Sequence, residues 1–361
     1  ETLETLRLCL SCKACKTECP SNVDVAKYKA EYLAQTYRAA GTPLQARVFG
    51  DVRRLNRLGS MFAPVSNWVA NSWPARMLNA RMLGISPKRR LPRFARSLFA
   101  ESEHRSSRTM IGGTATVVLF GDCFTAYNEP GVGRAAIKVL RACGYRVVVA
   151  DAGCCGRAPI STGLLAGAAG IVERTAAALA LMIDADKPVA ILFAEPSCLS
   201  AIKDEWRSLR TGVDQAVIER IAAMSWLVED FVDAKWDAHP KRPSFRAPEG
   251  DIVVHGHCHQ KALWGAETSA RLMRRIAQGR EVTVLDSGCC GMAGSFGYTA
   301  DRYDLSMAIG EMAVFPAARA MGSADVMAAP GTSCRHQVRD GTGREAMHPI
   351  EIAARLVVES E

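Results

Sequence analysis

A chain of 361 residues, 48% apolar and 23% charged, is too long for one compact core, and two or three domains are expected. The net charge is a modest +8 and no run of eighteen apolar residues occurs, so a soluble chain without a membrane-spanning helix is expected. Nothing near Glu1 pairs a basic head with an apolar stretch, so no signal peptide is expected, and a first residue other than Met points to a piece of something longer.

Thirteen cysteines fall well short of the roughly 8 to 10% that marks a disulfide scaffold. In a large protein of a reducing compartment, clustered cysteines serve metals or redox chemistry instead. Twelve of them form three groups of four: Cys9, Cys12, Cys15 and Cys19; Cys123, Cys154, Cys155 and Cys198; Cys258, Cys289, Cys290 and Cys334. Cys143 is left over and reads as a small buried apolar residue.

In chain order, residues 1–110 read as helical. Asn22 or Asp24 caps a helix carrying Val25, Tyr28, Tyr32 and Leu33 at helical spacing, and Gly41 stops it. Between Arg76 and Arg108 nine basic residues stand against Glu101 and Glu103, a surplus that accounts for nearly all of the net charge. With Trp68, Trp73, Met77, Met82, Leu83 and Phe94 in or before it, this stretch reads either as an amphipathic surface for anionic lipid or an acidic partner, or as a solvated linker face. A cytoplasmic chain, peripheral at the inner face of the membrane through residues 76–108, is one expectation. A nucleic-acid partner is not expected.

From residue 111 the pattern changes to βαβ units with parallel sheets. Apolar runs Thr116 to Gly121, Tyr145 to Ala150 and Val189 to Ala194 alternate with helical stretches Arg134 to Ala142 and Leu164 to Ile183. The pattern recurs with Ile252 to His255, Val282 to Leu285 and Asp325 to Ala328. The Pro- and charge-rich segment His239 to Gly250 reads as the linker, giving domains 111–240 and 250–361. The repeat is metrical. Cys123 to Cys258, Cys154 to Cys289, Cys155 to Cys290 and Gly156 to Gly291 are each offset by 135, and Cys198 to Cys334 by 136. Loops at the carboxyl edge of a doubly wound sheet share one side, where ligands bind, so four thiolates per copy are expected to converge.

Cys9-x2-Cys12-x2-Cys15-x3-Cys19-Pro20 has the bacterial ferredoxin spacing, in which the cysteine before proline reaches to a second cluster. A zinc ribbon would want two Cys-x2-Cys knuckles separated by a loop. The motif stands alone, so another segment or subunit is expected to complete its ligand sets. Adjacent cysteines seldom both reach one tetrahedral ion, so the Cys-Cys-Gly pairs favour a multi-iron cluster. A vicinal disulfide or structural thiols are the alternative. Gly156 and Gly291 would let backbone pass close to a cluster and turn N–H groups toward sulfur.

The two Cys-Cys-Gly halves resemble the cysteine-rich CCG domains of heterodisulfide reductase, glycolate oxidase and anaerobic glycerol-3-phosphate dehydrogenase iron-sulfur subunits. The phrases CLSCKACKTECPSNVDVAKYKAEYL, EPSCLSAIKDE, HGHCHQKALWG, DSGCCGMAGSFGY and GTSCRHQVRDGTGREAMHP together resemble a narrower group, the large FAD-linked oxidases of D-lactate and D-2-hydroxyglutarate dehydrogenase type. The resemblance implies an α/β architecture, a helical ferredoxin-type region followed by two Rossmann-like CCG domains. It also implies 4Fe-4S clusters on the twelve cysteines, FAD in an upstream domain or flavoprotein subunit, and a quinone or soluble carrier as acceptor. The family's closing Cys-x2-Cys is broken here, by Ala201 in the first half and Gln337 in the second, which puts a five-cysteine noncubane cluster in doubt. A catalytic, disulfide-reducing site of heterodisulfide reductase type and a redox-sensing scaffold without turnover stand as alternatives.

Gly131-x-Gly133-x-x-Ala136 with Asp151 imitates a dinucleotide fingerprint, but Cys123 to Pro130 separate it from the strand it should follow, so it is rejected. His255, His257 and His259 alternate around Cys258 and read either as a proton relay beside a cluster or as ordinary buried histidines.

Overall fold

Helices succeed one another from Thr2–Arg7 to Trp73–Leu83 in a computed structural model that describes residues 2–100 and 115–358. Asp24 caps Val25–Ala40 by accepting the Lys27 N–H at 3.1 Å, and Gly41 closes the helix. The buried face is Ala26, Ala30 and Ala34, whereas Tyr28 and Tyr32 are exposed. The expected apolar face is therefore corrected: Tyr28 and Tyr32 each sit two positions from the alanine row and so point away from it, and the small alanines let this helix pack closely.

The basic stretch is also corrected in part. Arg105 and Arg108 lie outside the described residues. Arg89 is buried instead of solvated, because acceptors converge on its guanidinium: Gly297 O at 2.9 Å, Ser306 Oγ at 3.0 Å, Gln337 Oε1 at 2.6 Å and Asp340 at 3.0 Å. The exposed apolar surface begins upstream of the basic run and extends into it at Leu78 and Met82, on the consecutive helices Val52–Met61, Ala63–Asn71 and Trp73–Leu83. There Met61, Phe62, Val65, Trp68 and Trp73 are each more than half exposed.

Strands β1 (Thr116–Phe120), β2 (Arg146–Ala150), β3 (Ala190–Phe193) and β4 (Ser225–Leu227) form a parallel sheet in the order β2-β1-β3-β4. After β5 (Ser244–Phe245), strands β6 (Ile252–Val254), β7 (Val282–Val284), β8 (Val326–Ala328) and β9 (Ala346–Met347) repeat it as β7-β6-β8-β9. The first three strands of each sheet fall on the apolar runs of the sequence. Their inner residues, such as Val118, Leu119 and Ile191, are fully buried, as parallel strands covered on both faces must be.

One apolar core serves both halves. Leu119, Val139 and Phe231 of the first meet Ile252, Val254, Ile350 and Ala353 of the second. The segment His239 to Gly250 is docked, not loose: Phe245 of β5 pairs antiparallel with Val357 of β10 (Val357–Val358) and stacks on Trp236 at 5.9 Å. Helix Leu165–Asp186 is long and apolar enough, by length and composition, to cross a membrane, which the absence of long unbroken apolar runs did not foretell. Its Ala168, Val172, Ala176, Leu179 and Ile183 are buried in the protein, most of them against the first sheet, and Glu173 and Arg174 interrupt it.

Gly131 and Gly133 lie inside helix Pro130–Ala142, where a Cβ on Gly133 would come within 2.3 Å of Leu98. Their role is close packing, as the rejection of the dinucleotide fingerprint requires. Cys143 is fully buried, and burial pushes its thiol up to about 12.

Candidate metal centre

Each half brings its four thiols together with the same devices. Asp122 follows β1 and caps helix Cys123–Tyr127 by accepting the N–H groups of Phe124 and Thr125 at 2.9 and 3.0 Å, which fixes Cys123 at the first helical position. The loop after β2 carries Cys154 and Cys155. Glu195 follows β3 and caps Pro196–Ser200, which holds Cys198. The Cys123 and Cys154 sulfurs are 3.7 Å apart and those of Cys155 and Cys198 3.0 Å, all in buried residues. Hydrogen bonds from Cys123 and Cys155 hold Cys154 well below the ordinary thiol range despite its burial, with the Gly156 N–H and Arg53 assisting.

In the second half His257 takes the place of Asp122 as the N-cap of Cys258–Trp264, accepting the His259 N–H at 3.2 Å. Cys334 is the third residue of helix Thr332–Thr342. Thiol contacts run from Cys258 to Cys289, Cys289 to Cys290 and Cys290 to Cys334. Gly156 and Gly291 both take positive φ, +82° and +92°, and their N–H groups approach the Cys154 and Cys289 sulfurs at 3.5 and 3.4 Å. Both glycines are therefore required by the backbone, as the pairing of a left-handed conformation with close approach demands.

The N-terminal motif folds against these two sites. Ser11 and Lys13 sit in the left-handed region, and the Ser11 N–H reaches the Cys9 sulfur at 3.4 Å. The Cys12 thiol is raised by burial and then by the neighbouring charges of Cys258, Cys9 and Cys15, so the first three cysteines lie together beside the second half. Cys19 stands apart. Its thiol is lowered by the N–H groups of Val23, Ser21 and Asn22, and no other cysteine among the described residues acts on it.

Several residues that hold this arrangement were not singled out in the sequence. Lys13, fully buried, bonds Asp204 and lies 2.9 Å from Glu205, and Lys16 and Lys27 also reach Asp204 at 2.5 and 3.0 Å. Arg157 bridges Glu205 at 2.5 Å and the Ser11 carbonyl at 3.3 Å. Their signal is faint, because a lysine between cysteines reads as surface charge. Asp204 and Glu205 do fall in the phrase EPSCLSAIKDE, in a π-helical turn of the kind that often marks functional sites.

The three histidines divide in role. His257 and His259 line a cavity between the cysteine groups, and His255 sits beneath it, beside Cys290 and Cys334. Burial pulls His255 and His257 down to about 3 and His259 well below its usual value, so all three are neutral imidazoles near pH 7. Nε2 of His259 lies 3.0 Å from the Ser11 carbonyl, and its Nδ1 2.7 Å from Ser200 Oγ.

That cavity, of about 360 Å³, connects the three groups. Its wall includes Cys9, Cys123, Cys154, Cys155, Cys198, Cys258, Cys289 and Cys290, together with the apolar residues Val52, Leu55, Leu83, Ile85 and Phe94. Four thiols per half, all buried in the first half and Cys290 and Cys334 buried in the second, with glycine N–H groups turned toward sulfur and cations nearby, form a soft donor set suited to iron-sulfur clusters. Such a set offers neither the separated knuckles of a zinc ribbon nor the oxygen ligands of harder ions.

Residues 117–203 and 252–339 each match the cysteine-rich domain family, CCG. The chain is 27% identical over 340 residues to a component of the anaerobic glycerol-3-phosphate dehydrogenase of Escherichia coli, covering 94% of this chain and 83% of the relative. It is 24% identical to D-2-hydroxyglutarate dehydrogenase of the same organism, covering 99% of this chain and 35% of that longer protein. To a component of the fumarate reductase (CoM/CoB) of Methanothermobacter marburgensis it is 23% identical, with 97% and 60% covered.

Proposed function

We propose that this chain, whose two repeats belong to the cysteine-rich CCG family, is the iron-sulfur electron-transfer module of an FAD-dependent dehydrogenase of D-2-hydroxyacid type. The observation that carries this reading is that all three cysteine groups meet at one cavity, with Cys12 beside Cys258. Iron-sulfur clusters, when bound, carry electrons one at a time. The chain's own part is to hold them: Cys123, Cys154, Cys155 and Cys198 in one half, Cys258, Cys289, Cys290 and Cys334 in the other, and Cys9, Cys12 and Cys15 at the entry. Cys19, standing apart from these, is left to serve a cluster completed by a neighbouring segment or subunit. In this reading His257 and His259, in the cavity wall beside Cys258, serve as the proton carriers of the site.

The acceptor in this proposal is a quinone. Two helices that line the cavity, Val52–Met61 and Trp73–Leu83, also carry exposed Met61 and Trp73 together with Arg54, Arg57 and Arg76, and exposed Phe62 and Trp68 lie in the chain between them. That combination suits a peripheral contact with anionic lipid. The flavin partner is either an upstream domain or a separate subunit. Glycerol 3-phosphate as the substrate is the second reading, favoured by the 83% coverage of the glycerol-3-phosphate dehydrogenase relative.

The native complex, captured anaerobically through a tag on this chain, should contain iron, acid-labile sulfide and flavin. Its iron-sulfur absorbance should bleach with a D-2-hydroxyacid. Bleaching by glycerol 3-phosphate alone would favour the second reading, and stoichiometric zinc without sulfide would overturn both.

A further inference from the structure

His255 follows β6 and is fully buried, at the position that Phe120 occupies 135 residues earlier in the first half. Its two ring nitrogens have different surroundings. Nδ1 lies 3.0 Å from Ser287 Oγ, whereas Nε2 is buried without a hydrogen-bond partner among the described residues. Leaving a buried polar nitrogen unpaired costs about 1 to 3 kcal/mol, so such an atom calls for an explanation.

Lys261, which can only donate, bonds the Ser287 carbonyl and approaches its hydroxyl oxygen at 3.5 Å. With Nδ1 protonated, Ser287 Oγ accepts the Nδ1–H of His255 at 3.0 Å and Nε2 keeps a free lone pair. Holding the second ring nitrogen in this way is the usual support for a metal-ligating histidine.

The ring has thiols for neighbours. A ring nitrogen of His255 and the sulfurs of Cys290 and Cys334 all lie within 4.8 Å of one another. The residue at the broken Cys-x2-Cys position has no ligand to give: Gln337 Oε1 accepts from Arg89 at 2.6 Å, and its Nε2 donates to the Ser306 carbonyl at 2.9 Å.

We propose that Nε2 of His255 is a fifth protein ligand in the second half, making that site four thiolates and one imidazole while the first half, with Phe120 in its place, is thiolate only. This rests on the iron-sulfur reading above. A neutral imidazole at the fifth position adds no negative charge, where a fifth thiolate would, and so leaves the cluster easier to reduce than a site of five thiolates.

The test is pulsed electron paramagnetic resonance on the anaerobic, partly reduced native complex, with histidine labelled by 15N. A strong nitrogen coupling that changes with the isotope should be present in the wild type, persist in His257→Leu and vanish in His255→Phe and in His255→Cys. The last variant should keep its iron and sulfide, since a thiol replaces the lost ligand. If iron and sulfide are full and no histidine coupling is seen, or if the coupling survives in His255→Cys, the ligand assignment is overturned and the electron-transfer reading stands. If the wild-type complex holds no iron or sulfide, both fall together.

Discussion

Glu195 accepts the backbone N–H of Thr332 at 2.9 Å across 137 residues of chain. Its other carboxylate oxygen takes the Ser197 N–H at 3.3 Å and the Ser197 hydroxyl at 2.8 Å. One side chain thus caps the helix that bears Cys198 and the helix that bears Cys334, and so sets the spacing of the two half-sites. A carboxylate is suited to this because both helix starts present unpaired N–H groups and the positive end of the helix dipole.

Glu195→Ala should therefore loosen both helices at once. The expected loss is about 1 to 3 kcal/mol, the range for a cap with a buried charge-assisted bond, read from chemical unfolding of the anaerobic protein. Iron should fall in both halves and not in one alone. An unchanged unfolding midpoint with full iron would refute the double-cap role.

Lys13→Met should detach the N-terminal cysteine loop from the first CCG domain. The substitution keeps the stem but leaves Asp204 and Glu205 without the ammonium they share, and breaking a buried pair on one side costs about 3 to 5 kcal/mol. The effect has a pH signature. Burial alone would raise Asp204, but Lys13, with Lys16 and Lys27, holds it well below the usual carboxylate range. Its folded-state value is thus lower than the unfolded value of about 3.9, so the contribution is fully present above about pH 4 and is lost as the pH falls below that. The acid limb of the stability curve should flatten in Lys13→Met, and an unaltered limb would count against the pairing.

Much of this arrangement was legible in the sequence, for physical reasons. The 135-residue offset of Cys123, Cys154 and Cys155 locates two equivalent edges, and apolar runs buried on both faces, such as Val117 to Phe120, announce parallel strands. Asp24 and Gly41 likewise mark the ends of their helix. What could not be read were the strands Ser225–Leu227 and Ala346–Met347, too short for any periodicity, and the pairs formed by distant charges. Lys13 with Asp204 and Arg89 with Asp340 are tertiary facts, in which a basic residue becomes a buried anchor only because acceptors arrive from elsewhere in the chain. The shared cavity follows from the core that joins the two halves, which no local pattern encodes.

Gly156→Ala and Gly291→Ala should differ in severity although the motifs are equivalent. Both positions have positive φ, which costs a non-glycine residue roughly 1 to 2 kcal/mol. At Gly156 the nearest atom to an added Cβ is a Val172 methyl at 3.2 Å, which can shift, whereas at Gly291 it is the Ser306 carbonyl oxygen at 2.2 Å, fixed in a helix. Gly291→Ala should therefore cost more than the strain alone and deplete sulfide in the second half. Equal unfolding midpoints and sulfide contents for the two variants would remove the distinction.

The two halves should also differ in electron delivery, with the second as the exit. The entry motif is anchored on the first half through Lys13, and its Cys12 also feels the charge of Cys258 in the second half. His257 and His259 line the cavity there, whereas the first half presents Cys123 followed by Phe124. Proton-coupled reduction of a quinone needs groups that can hand over protons, and histidine does so where phenylalanine cannot. Cys290→Ser should consequently abolish acceptor reduction in the native complex while substrate still reduces the flavin, seen as flavin bleaching without acceptor turnover in stopped-flow absorbance. Cys155→Ser should leave measurable turnover, because the first half then only relays or supports. If Cys155→Ser stops acceptor reduction and Cys290→Ser does not, the exit lies in the first half, and the histidines around Cys258 serve the cluster's structure and not its discharge.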